Sequence, residues 1–291
     1  MPAKWFACPA GTIEIEECLC ACPISAELPA GRCLSLRTLR ALALQRKWTG
    51  EPSTTQLIKG TREAYLEITT NYAFNPQDRL YAVHGSKVHA YLDQFTGLNE
   101  LSEERLYDAV SSGSFDFYDP ESELLIDSKT WGSYKVMKAL GLYQVDVPTG
   151  EYFKRDGKTG KKGDPKTRKE WVEGGVKDRL DVAMQLNDYR IKLEEVLPAG
   201  YEVKRMAVEA LVRDGGLKAA SMRGVEGNGI LIPINRVSDH RIKKYMAEKA
   251  RRLHHALDYR ELPKLCNRRE RWNGRKCEQY CNVREACINN A

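Results

Sequence analysis

The sequence predicts an α/β fold carrying a small cysteine-rich, metal-binding segment at each end. Three observations predict it. Short apolar runs of strand type, around Leu124-Leu125-Ile126, Val203 to Val212 and Ile230-Leu231-Ile232-Pro233, are separated by longer stretches of helical period. Nine cysteines segregate to the ends, five in residues 8–33 and four in residues 266–287. A chain of 291 residues suffices for one elaborated core with small appendages.

In chain order, residues 1–35 form the cysteine-rich head, with Pro and Gly at its turns. Leu36, Leu39 and Leu42 with interleaved arginines predict an amphipathic helix from Ser35 to Trp48. Ser53 or Thr54 caps a second helix running through Tyr65, and a third contains His84 to Phe95. Residues 123–127 read as the end of a strand, polar at its exit. The turn-rich stretch Tyr118-Asp119-Pro120-Glu121-Ser122 folds the chain back before it as a hairpin. A short helix or turn covers Ser133 to Leu140. Residues 148–176, rich in Gly, Lys and Pro, read as a long flexible insertion. Helical character returns from Val176 to Val196. The strand from Val203 to Val212 ends at the turn Arg213-Asp214-Gly215-Gly216, and Asp239 to Leu257 is a basic amphipathic helix. Three units result: a head (1–35), a core with its insertion (36–265) and a C-terminal cysteine segment (266–291).

The net charge of +6 is mild, but its distribution is uneven. Residues 154–169 hold eight Lys/Arg against two Asp, and residues 241–276 hold thirteen against four Asp/Glu. Two such stretches suit a polyanion such as nucleic acid, although solvated surface segments have the same composition. Lys158, Lys161 and Lys162, among flexible glycines, are the candidate phosphate contacts, with Phe153 and Trp171 placed to stack on bases. No apolar run reaches membrane-spanning length, and Met1-Pro2-Ala3-Lys4-Trp5 lacks the apolar core of a signal peptide. The expected compartment is therefore cytoplasmic, where clustered cysteines bind metals rather than pair as disulfides.

The hairpin brings Asp116 and Asp127 to one end of a sheet, with Lys129 on the same side as Asp127. Two carboxylates suit Mg²⁺ or Mn²⁺, with the Ser128 carbonyl as a further ligand, and an ammonium beside them orients water or offsets developing charge. In Gly85-Ser86-Lys87-Val88-His89, His89 is a candidate ligand on a helix and His84 its rival, roughly 140° away around the axis. Gln185 and Tyr189, four residues apart, project from one helical face.

Taken in order, Gly-x-x-x-His, Gly-x-x-Asp (from Gly113), Asp-x-Lys and Gln-x-x-x-Tyr resemble the RecB-type branch of the PD-(D/E)xK nucleases, including its CRISPR-associated and AddB-like iron–sulfur members. The resemblance covers roughly residues 53–290. It implies a mixed central sheet flanked by helices and a Mg²⁺/Mn²⁺-dependent deoxyribonuclease acting on DNA ends or single strands. On this reading His89, Asp116 and Asp127 hold the cation, Lys129 is catalytic, and Gln185 and Tyr189 contact DNA. The alternatives are a non-catalytic DNA-binding or adaptor protein that keeps the fold, and a structure-specific endonuclease. A phage or other mobile element in a bacterial cytoplasm, with recombination or replication partners, suits such a chain.

Cys266, Cys277, Cys281 and Cys287 suffice for one [4Fe–4S] cluster or one tetrahedral Zn²⁺. In the iron–sulfur members of the family three cysteines close the C-terminus and a fourth precedes the core. Here Gly60 stands where that fourth is expected, so Cys266 supplies it locally, and [4Fe–4S] is preferred to Zn²⁺. In the head, Cys8, Cys18, Cys22 and Cys33 are the candidate ligands of a zinc-knuckle-like staple. Cys20 is spare, or replaces Cys18 or Cys22, and Cys33 is an alternative ligand for the C-terminal cluster.

Overall fold

The computed structural model describes residues 3–45, 47–157, 161–175 and 180–289. Lys158 and the first residues of the helix expected from Val176 lie outside them. The chain is mixed α/β, with a mixed sheet flanked by helices.

The head comprises strands β1 (Ala3–Cys8) and β2 (Gly11–Glu14) and helix α1 (Ile15–Cys20). Helix α2 (Leu36–Ala43) stops short of Trp48, because Gln45 turns away to bracket the backbone of Ala3, bonding its N–H and its carbonyl at 2.6 Å each. The stretch from Ser53 to Tyr65 forms two helices, α3 (Thr54–Ile58) and α4 (Thr61–Thr69), rather than one. Ser53 and Gln56 close a capping box on α3. The break falls at Lys59-Gly60, where Lys249 Nζ takes the Lys59 carbonyl at 2.5 Å. Strand β3 (Tyr72–Phe74) runs parallel to β1, so the head's apolar cluster, Ala3, Phe6 and Cys18, reaches past residue 35 to Leu39 and Phe74.

Helix α5 (Leu80–Leu92) precedes four short strands: β4 (Leu101–Ser102), β5 (Arg105–Tyr107), β6 (Ser112–Ser114) and β7 (Phe117–Asp119). Strand β8 (Leu124–Trp131) pairs antiparallel with β7, so the expected hairpin forms. It runs four residues beyond the expected exit, however, and Asp127 sits at mid-strand. Lys129 to Trp131 continue the ladder because β11 (Arg205–Val212) pairs with β8 in parallel over its whole length, setting Val208 opposite Asp127. With β12 (Gly229–Pro233) the five-stranded sheet has the order β12-β11-β8-β7-β4. Period-two alternation sends Leu125, Asp127, Lys129 and Trp131 to one face and Ile126, Ser128 and Thr130 to the other.

Helix α6 (Ser133–Leu140) ends at Gly141 in the left-handed region, φ 64°. The expected flexible insertion is instead a long antiparallel ribbon, β9 (Leu142–Tyr152) with β10 (Pro165–Glu173). Val145 and Val147 alternate with polar neighbours, and Thr167, Trp171 and Val172 add further strand-favouring residues despite the Lys/Gly-rich tip. Trp171 is no free stacking platform. A Cβ at Gly224, φ 73°, would lie 2.7 Å from its ring, so the indole anchors the ribbon to the turn after α8 (Lys218–Ser221).

Helix α7 (Leu180–Glu194) is central. Leu186, Tyr189 and Leu193 pack on the sheet with Leu125 and Val208, while Met184 and Ile191 pack away from it against α4 and α9 (Asp239–Tyr259). Buried on both sides, its charges must pair. Arg190 bonds Glu194 at 2.6 Å and Asp239 at 2.5 Å, and Lys192 meets Asp188 and, at 3.0 Å, Asp108. Short helices α10 (Arg275–Gln279) and α11 (Arg284–Asn289) complete the C-terminal segment. Among the described residues no helix is long and apolar enough to cross a membrane.

Candidate active site

The hairpin β7–β8 places Asp116 just before one strand and Asp127 in the middle of the other. Their chemistry begins with the backbone: Ser128 N–H donates to Asp116 Oδ2 at 2.8 Å. Lys129 Nζ lies 2.6 Å from Asp127 Oδ1 and 3.8 Å from Asp116 Oδ2. Asp127 is only 1% exposed, and its Oδ2 has no hydrogen-bond partner among the described residues. Ser111 Oγ and Arg190 Nε share that condition, but only Asp127 combines it with a second carboxylate and an ammonium.

Burial, and next the charge of Asp127, push the Asp116 carboxyl up to about 7, against the opposing pull of Lys129 and His89. Burial also works against the Lys129 ammonium, yet Asp127 and then Asp116 outweigh it and hold its pKa above the ordinary value. Two crowded carboxylates, one holding a proton above the usual carboxylate range, form a site short of positive charge.

His89 comes from α5, which crosses the sheet above Ser128 and Thr130. Its Nε2 is 3.0 Å from the Ser128 carbonyl, and its Nδ1 is 2.9 Å from Glu103 Oε1 and 3.5 Å from Asp116 Oδ1. No residue of α5 is buried, so His89 reaches the site from a partly solvent-facing helix. His84 is exposed and does not line the cleft.

Gln185 and Tyr189 share a face of α7 as their spacing predicts. Gln185 Nε2 donates to Tyr189 Oη at 3.1 Å and to Asp127 Oδ1 at 3.3 Å. Burial, with Asp127 adding to it, raises the Tyr189 phenol pKa and keeps it a donor. Gly113 lets α7 come this close, because a Cβ there would lie 2.4 Å from Tyr189 Cε1. His89, Asp116, Gln185 and Tyr189 line a cleft of about 590 Å³. Glu103, Arg105, Ser53 and Thr55 line it too, and sequence reasoning missed them. Ser53 was read only as a helix cap, and nothing assigned these four to the site; Arg105 alone could have been flagged, as a cation eight residues before Gly113.

Lys161 and Lys162, at the tip of the ribbon, are exposed and do not line the cleft. Their backbone N–H groups bond Asp164 at 2.8 Å and Asp156 at 2.8 Å, so this part of the tip is a structured turn.

All nine cysteines are free thiols. In the head, burial raises the Cys18 thiol pKa, with Cys33, Cys22 and Cys8 acting in the same direction. Cys8, Cys22 and Cys33 thus lie near enough to Cys18 for their charge to act on it, but among the described residues the head sulfurs do not stand within 4.8 Å of one another as a ligand group. Cys20 is exposed, while Arg32 bonds the carbonyls of Cys18 at 2.7 Å and Cys20 at 3.4 Å. At the other end the thiols gather around the start of α4. Arg62 Nε bonds Cys287 Sγ at 3.1 Å, Lys276 pairs with Glu63 at 2.5 Å, and Cys266 Sγ lies 2.2 Å from where a Cβ on Gly60 would stand. Burial pushes the Cys281 thiol up to about 11 and raises that of Cys266. Cys33 acts on Cys18 in the head, while at the C-terminus Cys287 acts on Cys266 and Cys277 on Cys281.

No family model matches this chain, and no curated protein or solved structure matches it significantly.

Proposed function

We propose that this chain is a Mg²⁺/Mn²⁺-dependent deoxyribonuclease with a PD-(D/E)xK core of RecB type, acting on DNA ends or single strands in a bacterial or phage-infected cytoplasm. The observation that carries this reading is the buried carboxylate of Asp127, its Oδ2 unpartnered among the described residues, paired with Lys129 and acting on Asp116, which itself faces Lys129 and His89. An anionic oxygen taken from water without a partner is costly, and a cation is the partner that removes the cost. Asp116, Asp127, His89 and the Ser128 carbonyl are the donors that would hold it, a hard oxygen-rich set suited to Mg²⁺ or Mn²⁺. When bound, such a cation activates water and polarises the scissile phosphate.

The protein's own groups do the rest. Lys129 offsets charge that develops at the phosphate, and its ion pair with Asp127 keeps the ammonium at the carboxylates. Gln185 and Tyr189 offer donors to a DNA backbone across the cleft, and Arg105 adds a cation at its wall. The ribbon tip with Lys161 and Lys162 extends the phosphate-binding surface outward. The thiols of Cys266, Cys277, Cys281 and Cys287 would hold a [4Fe–4S] cluster, or Zn²⁺, and Cys8, Cys18, Cys22 and Cys33 a Zn²⁺, both as structural staples.

A non-catalytic adaptor has no use for carboxylates facing phosphate, so the intact acidic pair with its lysine favours the enzyme. The test is purified protein with Mn²⁺ on linear, circular and single-stranded DNA, against Asp127→Ala. Degradation from ends, abolished in the variant, supports the reading. Defined fragments from circular DNA favour an endonuclease. Binding without cleavage in both proteins would overturn catalysis.

A further inference from the structure

Glu103 belongs to no motif, yet it is tied to the site through its backbone and its side chain. Its N–H donates to the Asp116 carbonyl at 3.2 Å, and its own carbonyl accepts from Ser114 Oγ at 3.1 Å. Its backbone lies in the left-handed region, φ 50°, uncommon for a glutamate. So anchored, the carboxylate meets His89 Nδ1 at 2.9 Å, while the other ring nitrogen stands 3.0 Å from the Ser128 carbonyl.

Both oxygens only accept, and a neutral imidazole has one N–H to give. The Nδ1–H tautomer would spend that N–H on Glu103 and leave Nε2 a lone pair beside the Ser128 carbonyl. Adjacent ligands of an octahedral Mg²⁺, each ~2.0–2.1 Å from the ion, stand about 2.9 Å apart. The observed 3.0 Å separation of Nε2 and the carbonyl fits that spacing. The Asp116 carboxylate, 3.5 Å from His89 Nδ1, lies in the same site.

We infer that Glu103 is a positioning residue: it fixes the Nδ1–H tautomer and ring orientation of His89, so that Nε2 and the Ser128 carbonyl face one divalent cation. The inference rests on the cation-dependent reading above. The competing role is direct ligation, since ligand atoms of Glu103, His89 and Asp116 lie within 4.8 Å of one another. Glu103 already spends its near oxygen on the imidazole, and carboxylates that orient a ligating histidine are a recurrent arrangement.

The experiment combines the ¹⁵N shifts of His89 in the metal-free protein with Mn²⁺ affinity measured by electron paramagnetic resonance. Glu103→Ala should lose the Nδ1–H signature and bind Mn²⁺ roughly 10–100-fold more weakly. Glu103→Gln, whose amide oxygen still accepts from Nδ1, should recover much of both. In a His89→Ala background, Glu103→Ala should cost nothing further. A further loss there makes Glu103 a ligand and overturns the positioning role. Unchanged affinity and tautomer in Glu103→Ala, with a wild type that binds Mn²⁺, overturns the inference alone. A wild type that binds no Mn²⁺ overturns both it and the nuclease reading.

Discussion

Gly113 and Tyr189, 76 positions apart in sequence, are in such close contact that one methyl on the glycine would penetrate the phenol ring. The added carbon would stand 2.4 Å from Cε1 and 2.8 Å from Thr54 Oγ1. Neither neighbour can yield easily: Tyr189 is buried, and Thr54 Oγ1 bonds Asp188 Oδ2 at 2.6 Å. Gly113→Ala should therefore destabilise the protein by about 1–3 kcal/mol and push Gln185 and Tyr189 out of register with Asp127. Thermal melting and nuclease assays check this. A variant that melts and cuts like wild type would show that α7 is free to shift.

Lys129→Met separates turnover from cation binding. Removing the ammonium leaves Asp127 with only Gln185 as a donor among the described residues, so the metal-free variant should be less stable than wild type. The same loss raises the negative charge of the site, so Mn²⁺ should bind at least as tightly as before. Cleavage should nonetheless fall by roughly 10²–10³, the usual loss when a group stabilising developing charge is removed. Calorimetry and single-turnover cleavage read the two effects. Parallel loss of both would make Lys129 a structural residue only.

The raised Asp116 carboxyl has a consequence for stability. Its folded pKa, about 7, lies above the ordinary 3.8, so between those values the folded state holds a proton that the unfolded state has released. Stability of the metal-free protein contributed by Asp116 is therefore present at low pH and lost as pH rises through that window. Asp116→Asn should abolish this slope, and the difference between wild type and variant isolates it from other carboxylates. A cation takes the proton's place, so Mn²⁺ should raise the melting temperature more above about pH 8 than below about pH 5. Melting curves with chelator and with Mn²⁺ decide it. Wild-type stability that rises with pH relative to Asp116→Asn, or an Mn²⁺ effect that shrinks as pH rises, would sink the assignment.

What the sequence disclosed followed the range of each interaction. Asp116, Asp127 and Lys129 were legible because one hairpin and a period of two bring them together within 14 residues. Gln185 and Tyr189 were legible through helical spacing, but α7 is no ordinary amphipathic helix. It is buried on both sides, and its charges Arg190 and Lys192 find partners as distant as Asp239 and Asp108. Glu103 was illegible because a two-residue strand, paired Leu101 to Tyr118, has no periodic signal. The ribbon was hidden by its own composition: the Lys/Gly-rich tip outweighed the alternation in the strands leading to it. The far end of β8 was missed because its pairing partner, β11, lies some 80 residues onward.

That dependence on distant pairing also governs the C-terminal thiols, where Cys266 fills the space beside Gly60. Gly60 stands where the resembling family is expected to place a cysteine, and Cys266 Sγ lies 2.2 Å from the point a Cβ on Gly60 would occupy. A sulfur from the far end of the chain thus stands beside the start of α4. Arg62, two residues on, bonds Cys287 at Sγ and, at 2.8 Å, at its carbonyl, which keeps both ends of the set on the first turn of α4. Cys266→Gly should lose the metal bound by the C-terminal set and loosen α4 from the C-terminal segment. Gly60→Cys on its own should fail to fold well, because its Cβ would overlap the Cys266 sulfur. The double variant Gly60→Cys with Cys266→Gly should restore metal content and melting temperature together. Iron and zinc analysis after anaerobic purification, with the visible spectrum, reads all three proteins. If Cys266→Gly keeps its full metal content, Cys266 is no ligand. If the double variant stays metal-free while the wild type is loaded, the two positions are neighbours but not equivalents.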